Sequence, residues 1–339
     1  MQIEQSVRLK NYNTFGIDAQ ARYFASFASL QDLEELLGSE YFLRNKSMIL
    51  GGGSNLLFTN DFDGLVIKND LKGIELVKED DVYYYVKAWS GEVWHELVLY
   101  CLANDFAGVE NLSLIPGCVG ASPMQNIGAY GVEIKDVFHE LEAFHLYERN
   151  VHRFTLSDCA FGYRESIFKN KLKNQFAILN VTFRLRKKPV FNTSYGAIIQ
   201  ELEKMGVEQL TIQAVSQAVI NIRTSKLPDP EQIGNAGSFF KNPVVEKATY
   251  ESLAAVYPSI VGYNVEGGAM VKLAAGWLIE QCGWKGYRKG DAGVHTKQAL
   301  VLVNYGNAKG AEIFDLSCNI IESVDKKFGV KLHREVNII

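Results

Sequence analysis

The chain has 339 residues, more than one hydrophobic core usually fills, so two or three domains are expected. Its 47% apolar and 22% charged residues give the balance of an ordinary globular protein and exclude a disordered or fibrous one. A net charge of −4, with no run of Lys or Arg beyond a few residues, argues against a nucleic-acid or anionic-membrane surface, so any anionic ligand must be met by locally placed cations.

The opening segment has no apolar core of signal-peptide length, and no apolar run approaches membrane-spanning length. A cytoplasmic protein without membrane insertion is expected. Cys101, Cys118, Cys159, Cys282 and Cys318 are odd in number, widely spaced and form no CxxC pair, which fits reduced thiols better than a disulfide framework. The six histidines show no HExxH or HxH spacing, so a metal site has little support, and His95 reads as a packed residue on an apolar helical face.

In chain order, Ser29 and Asp32 with Leu30, Leu33, Leu36 and Leu37 spell a capped amphipathic helix. Met48-Ile49-Leu50, three glycines and Gly64 to Lys68 read as strand, glycine loop, turn and strand, with no long helix after the glycines. Ile74 to Ala88 alternate around the Asp80-Asp81 turn as a β-hairpin, and Trp94 to Leu102 mark a helix. Residues 107 to 136 read as glycine-rich loop. Strands are expected at Val137 to Tyr147, Val151 to Leu156 and Ala177 to Leu185, giving an α+β middle portion with mainly antiparallel sheet. Ile212, Val215, Val219 and Ile222 form a helical stripe that sets Arg223 and Lys226 at i, i+3. Helices are expected near Val271 to Gln281 and Ala311 to Phe328, each stopped by a glycine, followed by a final strand from Val330 to Ile339.

Five stretches carry candidate chemistry. Gly51, Gly52 and Gly53 let the backbone approach an anion, with Ser54, Asn55 and turned-in N–H groups forming a nest; on residues alone, a tight turn between strands is equally compatible. The GxGxxG pattern and following helix of a Rossmann site are missing. The long stretch Ile115 to Gly131 is too glycine-rich to be idle in a compact domain, because its backbone polar groups need partners that a cofactor can supply. Arg164 beside Glu165 reads in isolation as a surface ion pair, and Ser238 as a helix cap. Glu335 is flanked by Val336, Ile338 and Ile339, which argues for a docked segment rather than a frayed end.

Taken together, GGGSN followed about sixty residues later by PGxxGASPMQNIGAYG resembles the two-loop FAD site of the vanillyl-alcohol-oxidase-like flavoproteins. With YRxS at Tyr163 to Ser166, GSFFKNP at Gly237 to Pro243 and the glutamate-bearing tail, the chain resembles the UDP-N-acetylenolpyruvoylglucosamine reductase family, in its longer-tailed type I branch, over essentially its whole length. The tail departs from the family's usual PEVR at His333-Arg334 and Asn337.

The resemblance implies an α+β fold of three domains: residues 1–70 with 329–339 and residues 71–222 as an FAD-binding pair, and residues 223–328 as a substrate domain. It implies FAD contacts from Gly51, Gly52, Gly53, Ser54, Asn55, Pro116, Gly117, Gly120, Ala121, Ser122, Gln125, Asn126, Gly128, Tyr130 and Arg223. It implies substrate contacts from Tyr163, Tyr195, Lys226, Asn242, Tyr263, Lys285 and Gln298, and catalysis by Arg164, Ser238 and Glu335. The implied reaction is the NADPH-dependent reduction of the UDP-sugar enolpyruvate in peptidoglycan precursor synthesis, by a monomer without metal. A related flavoprotein oxidase of a small alcohol or sugar is the alternative, and the GSFFKNP stretch speaks against it.

Overall fold

The computed structural model describes residues 2–195, 197–265 and 267–339. These fall into two compact units, one of residues 1–7, 21–52 and 63–225 and one of residues 8–20, 53–62 and 226–339. The expected boundary at 222/223 thus falls three residues before the division at 225/226. The 70/71 boundary runs inside the first unit, and the tail 329–339 groups with 226–328.

The first unit carries a five-stranded sheet in the order Val151–Thr155, Phe138–His145, Phe176–Arg186, Tyr83–Trp89, Ile74–Glu79. All four pairings are antiparallel, as the alternating pattern implies. Phe176–Arg186 is central and almost continuously buried from Ala177 to Phe183, because both its faces are covered there. Val181, Phe183 and Leu185 join Leu97, Val98 and Cys101 of the helix Trp94–Ala103 in one core. Ala177 and Leu179 join Leu33, Leu36 and Leu37 of the helix Leu30–Gly38 in another. That helix starts as its sequence demands: Ser29 Oγ accepts from the Asp32 N–H at 3.1 Å, and Asp32 accepts from the Ala28 N–H at 3.1 Å.

A four-stranded sheet runs Glu4–Arg8, Gln20–Phe27, Phe62–Asn69, Ser47–Leu50. Its last two strands are parallel, with Met48 opposite Val66. The glycine loop therefore leaves from the carboxyl end of a parallel strand, the end at which open sheets bind ligands. The helix Ile212–Lys226 buries Ile212, Val215, Val219 and Ile222, as its stripe foretold.

In the second unit the sheet order is Gly234–Ser238, Val301–Asn304, Ala292–Val294, Arg288–Lys289. The helix Gly310–Phe328 buries Ile313, Leu316, Ile320 and Val324 and ends on Gly329 at φ 63°, the left-handed cap expected there. Two expectations are corrected. The helix expected from Val271 starts only at Ala275, because Met270–Leu273 alternates buried and half-buried residues as the central strand of a small antiparallel sheet between Val244–Glu246 and Gly262–Asn264. The final strand shrinks to Asn337–Ile338, paired in parallel with Leu56–Leu57, and the residues before it are held by an isolated bridge between Phe240 and Arg334.

Candidate active site

Within the first unit the two glycine loops lie against each other. A Cβ on Gly52 would stand 3.0 Å from Gly117 Cα, and one on Gly51 would stand 3.7 Å from Cys118 Cβ, so the approach depends on bare backbone. The second loop then winds through a short 3₁₀ turn, Val119–Ala121, packed so closely that a Cβ on Gly120 would sit 2.5 Å from Ser90 Cβ. Its polar side chains mostly serve the loop itself. Ser122 Oγ donates to the Val119 carbonyl at 2.7 Å. The buried Asn126 amide donates to Glu133 at 3.0 Å and to the Gly162 carbonyl at 3.1 Å, and accepts from the Lys135 N–H at 3.1 Å. What Ser122 and Asn126 can turn toward a ligand is therefore mainly backbone.

The segment 162–170 is tied onto this loop. Arg164 sits at φ 55°, in the left-handed region that costs a side-chain-bearing residue energy, and its Nη2 donates to the Gly128 carbonyl at 2.9 Å. Ser166 Oγ donates to the Met124 carbonyl at 2.7 Å, and Lys169 Nζ reaches Gln125 Oε1 at 3.2 Å. Glu165 accepts from Asn170 at 2.9 Å. The strained backbone at Arg164 is thus over-determined by its neighbours, a pattern that marks functional sites.

Arg223 supplies the test of whether a large anionic cofactor fits. Its Nε is buried with no hydrogen-bond partner among the described residues, and burial pulls the guanidinium below the ordinary arginine range. Facing it is Tyr130, whose phenol is pushed up by burial and pulled back by Arg223. A half-buried guanidinium with a buried, unpartnered Nε can take an external acceptor. The residues fit a flavin dinucleotide, with the two glycine loops offering backbone and Arg223 offering charge. Tyr195 is 46% exposed, its Cβ 3.3 Å from where a Cβ on Gly131 would stand.

Within the second unit, Gly53 takes φ +64° and a Cβ there would fall 2.0 Å from the Tyr12 carbonyl oxygen. The chain thus passes from one unit to the other inside the GGGSN loop. Beyond it, Asn55 Nδ2 reaches the Glu335 carbonyl at 3.4 Å, and the Asn55 carbonyl accepts from Asn337 at 3.1 Å (N–H) and 2.9 Å (Nδ2). Ser238 is exposed at the end of Gly234–Ser238, opposite Val301. Its neighbour Phe239 accepts from the Glu335 N–H at 2.8 Å, which seats the serine and the glutamate on adjoining backbone.

The other expected substrate residues have defined surroundings. Asn242 Oδ1 accepts from the Ala275 N–H at 2.9 Å and so caps the helix Ala275–Gln281. Lys285 pairs with Glu280 at 3.0 Å. Gln298 is half-buried, and its Oε1 would stand 3.2 Å from a Cβ on Gly276. Lys226 is exposed at the end of its helix, and Tyr263 is 45% exposed on Gly262–Asn264. The contact of Arg334 with Ser317 and Cys318 was not legible in the sequence and is invisible until the tail is seen against the last helix. His95 is half-buried and its Nδ1 accepts from the Leu114 N–H at 3.0 Å, a packing role as expected. Among the described residues no group of three or more His, Cys, Asp or Glu is arranged to hold a metal ion, and no helix is long and apolar enough to cross a membrane.

Residues 21–146 match the family described as FAD binding domain, so the class defined by the paired glycine loops is an FAD-binding flavoprotein. Residues 229–339 match the family described as UDP-N-acetylenolpyruvoylglucosamine reductase, C-terminal domain. The UDP-N-acetylenolpyruvoylglucosamine reductase of Flavobacterium johnsoniae is 51% identical over 340 residues, covering 100% of both chains, and that of Amoebophilus asiaticus is 50% identical over 339 residues, again with 100% of each covered. A crystal structure of the Thermus caldophilus reductase superimposes with a TM-score of 0.70 over 100% of this chain and 99% of its own; at 22% identity it supports the fold. The chain belongs to the UDP-N-acetylenolpyruvoylglucosamine reductase family, and it is an oxidoreductase and a flavoprotein. The family, the α+β flavoprotein architecture and FAD, all expected above, are met.

Proposed function

We propose that the protein reduces UDP-N-acetylglucosamine enolpyruvate to UDP-N-acetylmuramate for peptidoglycan precursor synthesis, using NADPH, as a cytoplasmic monomer. The observation that supports this reading is the bond between the Phe239 and Glu335 backbones, which joins the stretch that follows Ser238 to the stretch that carries Glu335 in the part of the chain matched by the reductase's own C-terminal domain. FAD, when bound, would supply hydride chemistry, with NADPH as the source of its electrons. Gly51, Gly52, Gly53, Ser54, Asn55, Pro116, Gly117, Gly120, Ala121, Ser122, Gln125, Asn126, Gly128 and Tyr130 would hold it chiefly through backbone, with Arg223 as the counter-charge.

The substrate has a C=C bond conjugated with a carboxylate. Hydride arriving at the methylene carbon leaves negative charge on the carbon next to that carboxylate, and the charge spreads onto the carboxylate oxygens. Arg164 binds the carboxylate as a planar fork, and Glu335, in its protonated form, donates to the same group as charge grows. Ser238 then delivers a proton to the adjacent carbon, which completes the saturated ether. Tyr163, Tyr195, Lys226, Asn242, Tyr263, Lys285 and Gln298 hold the nucleotide and sugar. Functionally, residues 1–70 with 329–339 and residues 71–222 are assigned to the flavin, and residues 223–328 to the substrate.

The test is spectroscopic. The purified protein is expected to be yellow, to bleach on anaerobic addition of NADPH, and to regain colour when the enolpyruvyl sugar is added. Bleaching without recovery, or rapid recovery by air alone, would refute the assignment.

A further inference from the structure

Arg334 directly precedes Glu335, and its side chain is committed to the last helix. Nε donates to Ser317 Oγ at 2.7 Å, Nη2 to Cys318 Sγ at 2.9 Å, and the guanidinium carbon lies 4.5 Å from the centre of the Phe314 ring. Phe314, Ser317 and Cys318 fall at i, i+3 and i+4 of Gly310–Phe328, so one face of that helix offers a ring, a hydroxyl and a thiol to one planar cation. The helix is a firm base, since Ile313, Leu316, Ser317, Ile320 and Val324 are buried.

On either side of Arg334 the main chain is bonded to another partner. The His333 carbonyl accepts from the Lys241 N–H at 2.8 Å, and the Glu335 N–H donates to the Phe239 carbonyl at 2.8 Å. The backbone at Arg334 is therefore gripped by the 239–241 stretch while its side chain is gripped by the helix. With only Asn337 and Ile338 of this segment in a strand, these anchors supply the rest of its hold.

We propose that Arg334 is the positioning residue for Glu335. By locking the tail to Phe314, Ser317 and Cys318, it fixes the direction in which the next side chain leaves the backbone, without itself touching the substrate. This inference rests on the role given to Glu335 above.

The test compares Arg334→Ala, Arg334→Lys and Ser317→Ala with the parent holoenzyme. In Arg334→Ala, recovery of flavin colour by the enolpyruvyl sugar is expected to slow about 10–100-fold, the cost of a misplaced catalytic group, while bleaching by NADPH and the KM for the sugar stay close to the parent. Arg334→Lys keeps the charge without the fork and restores part of the rate; Ser317→Ala, which removes one anchor, loses a smaller part. Independently of turnover, the amides of Glu335 and Asn337 are expected to exchange with solvent at least about tenfold faster in Arg334→Ala. Should Arg334→Ala fail to fold, Ser317→Ala and Arg334→Lys carry both readouts. Unchanged exchange at Glu335, or an unchanged rate with the sugar, would overturn the proposal. A parent protein that ignores the sugar would instead sink the reading of function, and amide exchange would still decide whether Arg334 anchors the tail.

Discussion

The N–H of Glu335 donates to the carbonyl of Phe239 at 2.8 Å, joining the end of the chain to the residue that follows Ser238. A backbone bond of this kind holds the two stretches of main chain together, so they cannot part without breaking it. The stretches that carry the two groups assigned to charge stabilisation and proton delivery are thus joined by main chain. Arg164, in the first unit, is held by a different device, a strained backbone braced by the Gly128 carbonyl.

Ser238→Ala removes the proposed proton donor and nothing that the sheet needs, since Ser238 is exposed at a strand end. Stopped-flow spectra are expected to show normal bleaching by NADPH and a return of colour with the sugar slowed by about 10²–10⁴, the usual worth of a general acid. Normal turnover would remove Ser238 from the mechanism.

Arg164→Lys keeps a cation and gives up the planar fork that grips a carboxylate at two points. Steady-state turnover is expected to fall about 10²–10³-fold, the loss typical for one donor to a developing anion. FAD content per chain, read from the visible absorbance, is expected to match the parent. A loss of FAD with turnover per bound flavin unchanged would show that Arg164 serves the cofactor rather than the substrate.

Much of this was legible in the sequence where local chemistry decides structure. The Ser29 cap, the Asp80-Asp81 turn, the stripe of Ile212–Lys226 and the Gly329 stop all form as read, because each is fixed by residues a few positions apart. The site was legible through its glycines, whose spacing has meaning only if the loops meet, and Gly52 and Gly117 do meet. What escaped depends on distant partners. Val271 and Leu273 look like the start of a helix until two flanking strands claim them. The tail looks like one long strand, yet Arg334 and Asn337 send their side chains to Ser317, Cys318 and the Asn55 carbonyl. No period in the sequence announces those contacts. Where the family usually has a proline before the glutamate, restricting the backbone by its ring, this chain has an arginine whose side chain is tied down.

Gly310 and Gly329 bound the same helix and are expected to respond oppositely in cause. Alanine is ordinarily favoured over glycine in a helix by about 1 kcal/mol. A Cβ on Gly310 would fall 1.6 Å from the Phe58 carbonyl oxygen, so Gly310→Ala must push the helix off that backbone and is expected to cost about 1–3 kcal/mol or more despite the gain in propensity. A Cβ on Gly329 meets nothing within 4 Å, and Gly329→Ala pays only for its φ of +63°, about 1–2 kcal/mol. Urea denaturation of the two variants checks this. A Gly310→Ala protein as stable as its parent would show that the helix start is not packed as described.

The pH dependence of stability follows from the histidines. His95 accepts a hydrogen bond from the Leu114 N–H at 3.0 Å through Nδ1, which only a deprotonated Nδ1 can do. Burial holds the ring below the ordinary value of 6.5, Glu96 offsets part of this, and Arg223 adds to it. Burial lowers His139 and His295 in the same sense. As pH falls, the unfolded chain takes up protons on these rings before the folded one does, so stability is lost from about pH 7 downward through the folded values. Glu110, raised by burial, acts with the opposite sign at the acid end, so the overall slope mixes several groups. A single replacement isolates one of them. His95→Asn keeps an acceptor for the Leu114 N–H and cannot be protonated; its melting temperature is expected to fall less than the parent's between pH 7 and pH 5. Parallel curves for the two proteins would mean that His95 is solvated and titrates alike in both states.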